Sequence, residues 1–141
     1  VTAVFGKLNI KTGELIFINA GHESILLFDE NKNYEYIKSD MPPIGIVKYF
    51  TETMVKSNTI NLKDKTFVVY TDGVTEGYLK NGAELGAEGV QDIINKMTDI
   101  TPKTIVEGIE NQLNWGAEKL RDDITCMAIN IKNTELLKKN K

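Results

Sequence analysis

Along the first half of the chain apolar and polar positions alternate with a period of two, the spacing of half-buried antiparallel strands. Thr2–Ile10 and Glu14–Ala20 flank Lys11-Thr12-Gly13, a tight-turn signal, and predict a β-hairpin. Ser24–Phe28 and Tyr34–Lys38 flank the polar stretch Asp29-Glu30-Asn31-Lys32-Asn33 and predict a second one. After the loop Met41-Pro42-Pro43-Ile44-Gly45, a further strand pair is expected over Glu52–Leu62 and Thr66–Thr71, joined through Lys63-Asp64. Asp72 then stops the sheet.

The period changes in the second half. Val90, Ile93, Ile94 and Met97 fall at i, i+3, i+4 and i+7, the buried stripe of a short helix. Thr101-Pro102 reads as an N-cap and first-turn proline, with Ile105, Val106, Ile109 and Leu113 continuing one face. Gly82, Gly86 and Gly89 match no nucleotide fingerprint and read as a loop leading into a helix. Ile124–Ile131 returns to strand. With no internal repeat and no linker, the pattern predicts an antiparallel α+β domain whose helices precede its last strand.

Composition narrows the class. A chain of 141 residues, 41% hydrophobic and 26% charged, suits one domain with a buried core. A net charge of -3 argues against nucleic acid as a partner, since phosphate-backbone binding needs a concentrated basic face. Lys132, Lys138, Lys139 and Lys141 read as a solvated tail over residues 132–141. One cysteine cannot form an internal disulfide, and no membrane-length apolar run or signal-peptide pattern is present, so a reducing cytoplasm fits best. The chain opens at Val1 directly into a strand pattern, and the natural protein is expected to start further upstream.

Two acidic motifs fifty residues apart carry the chemistry. Thr71-Asp72-Gly73 follows the apolar run Phe67-Val68-Val69-Tyr70, and Asp122-Asp123-Ile124-Thr125 opens Cys126-Met127-Ala128-Ile129. Each places an Asp at a strand end, where a sheet can hold a carboxylate rigidly with its oxygens free for a hard cation. Competing chemistries fail on residue type. Six residues after Cys126 stands Lys132, not the arginine a cysteine phosphatase needs, so Cys126 reads as a core thiol. Asp72 is followed by Gly73 and Val74, without the second Asp of an aspartyl-phosphate enzyme. The single histidine, His22, cannot build a His-rich metal centre, and no Walker-type loop exists. Carboxylate-bound Mg²⁺ or Mn²⁺ with an activated water survives, and no protein nucleophile is then required. Taken alone, an Asp-Gly is more often a turn and an Asp pair a solvated loop. His22 beside Gly21 reads as a turn residue hydrogen-bonded to backbone, Pro42-Pro43 as a rigid loop, and Trp115 as a core or cover residue.

Asn19-Ala20-Gly21-His22, Pro43-Ile44-Gly45-Ile46, Tyr70-Thr71-Asp72-Gly73-Val74-Thr75-Glu76 and Asp122-Asp123-Ile124-Thr125 stand in one order over residues 1–131. In that order and spacing they resemble the metal-dependent protein phosphatases (PPM, type 2C), in their bacterial SpoIIE-like branch. The resemblance implies two antiparallel sheets packed as a sandwich flanked by helices, holding two Mn²⁺ or Mg²⁺ ions in the complete domain. It implies Asp72 and Asp122 as metal ligands and catalytic groups acting through metal and water, Asp123 as auxiliary, and Gly73, His22 and Glu76 as nearby support. Arg121 could offset the repulsion of the acid pair or face solvent. The family's two earlier acidic motifs have no match, so the N-terminal part of the domain is expected upstream of Val1, and residues 1–141 alone are expected to be inactive. The implied activity is hydrolysis of phosphoserine or phosphothreonine in bacterial signalling such as sigma-factor regulation. An anti-sigma-factor antagonist would be a substrate, and a sensory or regulatory domain would lie upstream. The alternative is a catalytically incompetent phosphatase-fold module that binds a partner.

Overall fold

The computed structural model describes residues 1–114 and 122–131. Seven strands, β1 (Ala3–Leu8), β2 (Glu14–Ala20), β3 (Ile25–Asp29), β4 (Tyr34–Ile37), β5 (Asn58–Asn61), β6 (Lys65–Tyr70) and β7 (Cys126–Asn130), form two antiparallel sheets. One has the order β1-β2-β5, the other β4-β3-β6-β7. Between β6 and β7 lie α1 (Asp72–Thr75), α2 (Gly89–Lys96) and α3 (Pro102–Gln112).

Strand β3 shows why the layers stack as they do. Its residues Ile25, Leu26, Leu27 and Phe28 are all buried, the continuous apolar run of a strand covered on both faces. Ile25 and Leu27 join Leu15 and Phe17 of β2, Phe67 of β6 and Leu62 in the core between the sheets. Leu26 and Phe28 point the other way, with Val68 and Tyr70, toward Val90 and Ile94 of α2 and Ile105 and Ile109 of α3. Each such side chain contributes about 1.5–3 kcal/mol on burial. Phe17 and Phe67 meet edge to face at 5.2 Å, coupling the two sheets.

The helices begin and end where the pattern placed them. Thr101 Oγ1 accepts from the Thr104 N–H at 3.2 Å while the Thr101 N–H donates to Thr104 Oγ1 at 2.9 Å, a reciprocal cap ahead of Pro102. Both predicted hairpins form, in registers such as Phe5↔Ile18 and Leu27↔Glu35.

The expected pairing of Glu52–Leu62 with Thr66–Thr71 is corrected on two counts. Only Asn58–Asn61 is strand, preceded by a single 3-10 turn at Glu52–Met54 among exposed residues. Its partner is β2, while β6 pairs with β3 and β7 in the other sheet. The cause is Leu62, fully buried at the crossing. Its N–H donates to the Gly13 carbonyl of the first hairpin at 2.8 Å, and its carbonyl accepts from Ile131 beyond β7 at 3.3 Å. Lys63-Asp64 therefore carries the chain from one sheet to the other. A one-turn helix, α1, also forms directly after the sheet, which strand periodicity alone did not disclose. Trp115, Arg121, Lys132, Lys138, Lys139, Lys141 and the tail over 132–141 lie outside the described residues.

Candidate metal-binding rim

The strand registers bring one end of six of the seven strands to a common rim. Ala3 faces Ala20, Ile25 faces Ile37, Leu26 faces Val68, and Tyr70 faces Cys126. The start of β1, the end of β2, the start of β3 and the ends of β4 and β6 therefore lie together with the start of β7. All four sequence motifs occupy this rim.

Thr71 ties the two acidic motifs. Its N–H donates to the Thr125 carbonyl at 3.0 Å, and its hydroxyl donates to the Asp123 carbonyl at 3.0 Å. The same hydroxyl oxygen accepts from the Thr125 N–H at 3.0 Å. Gly73 is buried beneath this contact, and a Cβ there would overlap the carbonyl oxygen of Asp123. Only glycine lets the two backbones approach this closely. Val74, fully buried, anchors α1 from below, and the Glu76 N–H donates to the Asp72 carbonyl at 2.8 Å to close its single turn.

The carboxylates themselves stay outside. Asp72 and Asp122 are both exposed, and each turns one oxygen back onto the next residue: Asp72 Oδ1 accepts from the Gly73 N–H at 2.9 Å, and Asp122 Oδ1 from the Asp123 N–H at 2.7 Å. That bond fixes the side-chain rotamer. The second oxygen of each has no hydrogen-bond partner among the described residues. Exposed, oriented carboxylate oxygens are the donor chemistry that Mg²⁺ and Mn²⁺ select, so the residues present fit a hard divalent cation. They fit it as part of a site: no group of three or more His, Cys, Asp or Glu side chains converges among the described residues.

The other two motifs meet beside them. Asn19 is buried, its Oδ1 accepting from the His22 N–H at 2.9 Å and its Nδ2 donating to the Glu23 carbonyl at 3.1 Å. Gly21, at φ 66°, donates its N–H to Ser39 Oγ at 2.8 Å, and a Cβ there would overlap the Pro43 ring. Pro42-Pro43 is thus the rigid wall against which the Gly21 turn rests. The His22 ring does not bond backbone as expected: its Nδ1 lies 3.3 Å from Thr2 Oγ1. Cys126 is a core thiol, pushed up to about 11 by burial, and is protonated at neutral pH. The roles of Thr71 and Ser39 were missed in the sequence. For Thr71 a signal existed, a hydroxyl at the last sheet position before the acid.

A comparison with known proteins supplies the family. The SpoIIE family, Stage II sporulation protein E, matches residues 1–132. Protein IcfG of Synechocystis is 26% identical over 135 residues, covering 91% of this chain and 20% of that protein. The RsbU and RsbW domains of Rv1364c from Mycobacterium tuberculosis superpose with a TM-score of 0.69 at 20% identity, over 93% of this chain and 37% of that one. The phosphatase domain of SpoIIE from Bacillus subtilis, presoaked with Mn, gives 0.66 at 16% identity, over 94% of this chain and 57% of that one. The chain thus spans a fifth of the curated relative and about half or less of these solved ones. Two antiparallel sheets with helices on one face, four motifs on one rim and a match along nearly the whole chain establish that this chain belongs to the SpoIIE family of PPM-type phosphatase domains.

Proposed function

We propose that the protein containing this chain is a metal-dependent phosphoprotein phosphatase acting on phosphoserine or phosphothreonine. The observation that carries the reading is the Thr71–Asp123 and Gly73–Asp123 contact, which fixes Asp72 and Asp122 on one rim with carboxylate oxygens turned to solvent. Asp72 and Asp122 would hold Mn²⁺ or Mg²⁺, with Asp123 auxiliary, and the bound ions would supply a water of lowered pKa and neutralise phosphoryl charge. The chain's own part is to fix two negative charges at the end of a rigid sheet at no cost in rearrangement. Cys126, half-buried and protonated, contributes no nucleophile. His22, held against Thr2, and Gly73, beneath the acid pair, support the rim's shape.

The family supports a role in bacterial signalling, with an anti-sigma-factor antagonist as substrate and a sensory or regulatory domain elsewhere in the protein. The lone cysteine and a role in bacterial signalling support a cytoplasmic domain, and no helix among the described residues is long and apolar enough to cross a membrane. The second reading, a non-catalytic partner-binding module, draws support from the absence of a three-acid group among the described residues. The full-length protein, given a phosphoserine peptide with Mn²⁺ or Mg²⁺, should release phosphate and stop in excess chelator. Tight peptide binding without turnover at any metal concentration would establish the module instead.

A further inference from the structure

Beside the acid pair, on the helix side of the four-stranded sheet, lies a cavity of about 580 Å³. Its wall includes Glu23, Lys38, Tyr70, Glu76, Glu84 and Glu88. Glu76 closes the one-turn helix that Asp72 begins, so the cavity starts a single helical turn from the proposed metal ligand. The carboxylates of Glu23, Glu76 and Glu88 share the wall with one ammonium, that of Lys38. Glu23, Glu76 and Glu88 have no ion-pair partner among the described residues, whose one ion pair of described partners is Lys103–Glu107 on a distant helix face.

A second observation is independent of the acids. Tyr70 is 4% exposed and lines the cavity, yet its hydroxyl has no hydrogen-bond partner among the described residues. Among the described residues no buried side-chain oxygen lacks a partner, so this hydroxyl is open to the cavity and free to accept from a bound group. The Tyr36 hydroxyl, on the same wall, donates to Gln91 Oε1 at 3.3 Å. The two phenols offer lone pairs and ring faces to a cation.

We propose that this cavity is a subsite for a basic side chain, arginine or lysine, carried by the phosphoprotein substrate close to its phosphorylated residue. The inference rests on the phosphatase reading for its placement, and it names what that reading leaves open, the sequence context the enzyme selects. The carboxylates of Glu23, Glu76 and Glu88 supply the charge complement, and the Tyr70 hydroxyl accepts an N–H from the ligand. Lys38 at the edge repels a second cation and limits the subsite to one.

The test uses the full-length protein and phosphoserine peptides differing at the flanking positions, which carry arginine, norleucine or glutamate. KM should be at least about tenfold lower for arginine than for glutamate, with kcat changed by less than about twofold, because binding and not chemistry is altered. Glu88→Lys should reverse the order, and Glu23→Lys, on a different element, should do the same should the first variant fail to fold. Equal KM values for the three peptides, or an unchanged order in a folded variant, would overturn the subsite. Fluorescence anisotropy with the unphosphorylated arginine and glutamate peptides separates this result from the phosphatase reading. Preference for arginine that Glu88→Lys abolishes supports the subsite even where no peptide is hydrolysed, and in that outcome the phosphatase reading alone is lost.

Discussion

The two ends of the sandwich are built on different rules. At one end the chain turns three times, and each turn carries its own side-chain closure, with one long-range seam from Leu62 to Gly13 and Ile131. Asn9 Oδ1 accepts from the N–H groups of Lys11 and Thr12 at 3.1 and 3.3 Å, Asp29 Oδ1 from those of Asn31 and Asn33 at 2.9 Å, and Asn61 Oδ1 from that of Lys63 at 2.9 Å. At the other end local bonds orient single side chains, but the ties that set the shape are long-range: Thr71 with Asp123 and Thr125, Gly21 with Ser39 and Pro43. Local closure gives a stable turn and nothing more. Closure between distant segments can set two charges side by side, and that is the end where the motifs gather.

Breaking the rim should separate chemistry from stability most sharply at Asp72. Asp72→Asn removes one ligand charge from an exposed position and should lower metal-dependent turnover by about 100-fold or more, with a melting temperature close to that of the wild type. Parent-like turnover in that variant would take Asp72 out of the site. Gly73→Ala acts on the backbone. The Asp123 carbonyl has to move, and a loss of about 2–3 kcal/mol in denaturant unfolding is expected, with activity falling alongside. An unchanged midpoint would mean the close approach is relaxed at no cost. Thr71→Val deletes the shared hydroxyl and should cost about 1–2 kcal/mol, with turnover reduced because the Asp122 segment loses its tie.

At the turn end the same kind of change should stay local. Asn9→Ala removes two short-range hydrogen bonds and should cost about 0.5–1 kcal/mol, leaving turnover at the wild-type value; a fall in turnover would dissolve the contrast between the ends. Smallest at neutral pH, and visible only in alkali, is the ionisation of Tyr70 and Cys126, which face each other at the rim. Burial raises both, Tyr70 from 10.0 to about 12 and Cys126 from 9.0 to about 11. The unfolded chain therefore loses these protons first. Stability should be fully present below pH 9 and decline as pH rises toward 11 and 12, a slope that Cys126→Ala makes shallower in pH-dependent thermal melts.

What was legible in the sequence follows the same division. Lys11-Thr12-Gly13 and Asp29–Asn33 announce hairpins because turn chemistry is local, and Thr101-Pro102 announces a helix start for the same reason. Lys63-Asp64 misleads because a turn with Asp64 at φ 62° looks the same whether its flanking strands pair or part. The choice is made by Leu62, through contacts to Gly13 and Ile131 that no local pattern shows. At the rim, the acids at positions 72 and 122 are proposed as ligands from their type and setting, and the resemblance gave their order. The partners of Thr71 and the placing of Ser39 beneath Gly21 could not be read from the sequence, since the residues concerned stand 18 to 54 positions apart.

The position of β7 has a consequence for the timing of assembly. It is the last strand among the described residues, it enters at the edge of the four-stranded sheet, and it brings Asp122 and Thr125 with it. During synthesis the hairpins and the first sheet can form as they emerge, but β6 waits with one edge bare until residue 131 is available. A nascent or truncated chain therefore carries Asp72 without its companion and cannot bind a cation between the two motifs. Synthesis of β7, more than fifty residues behind Asp72, is the step that first sets the two acidic motifs beside each other.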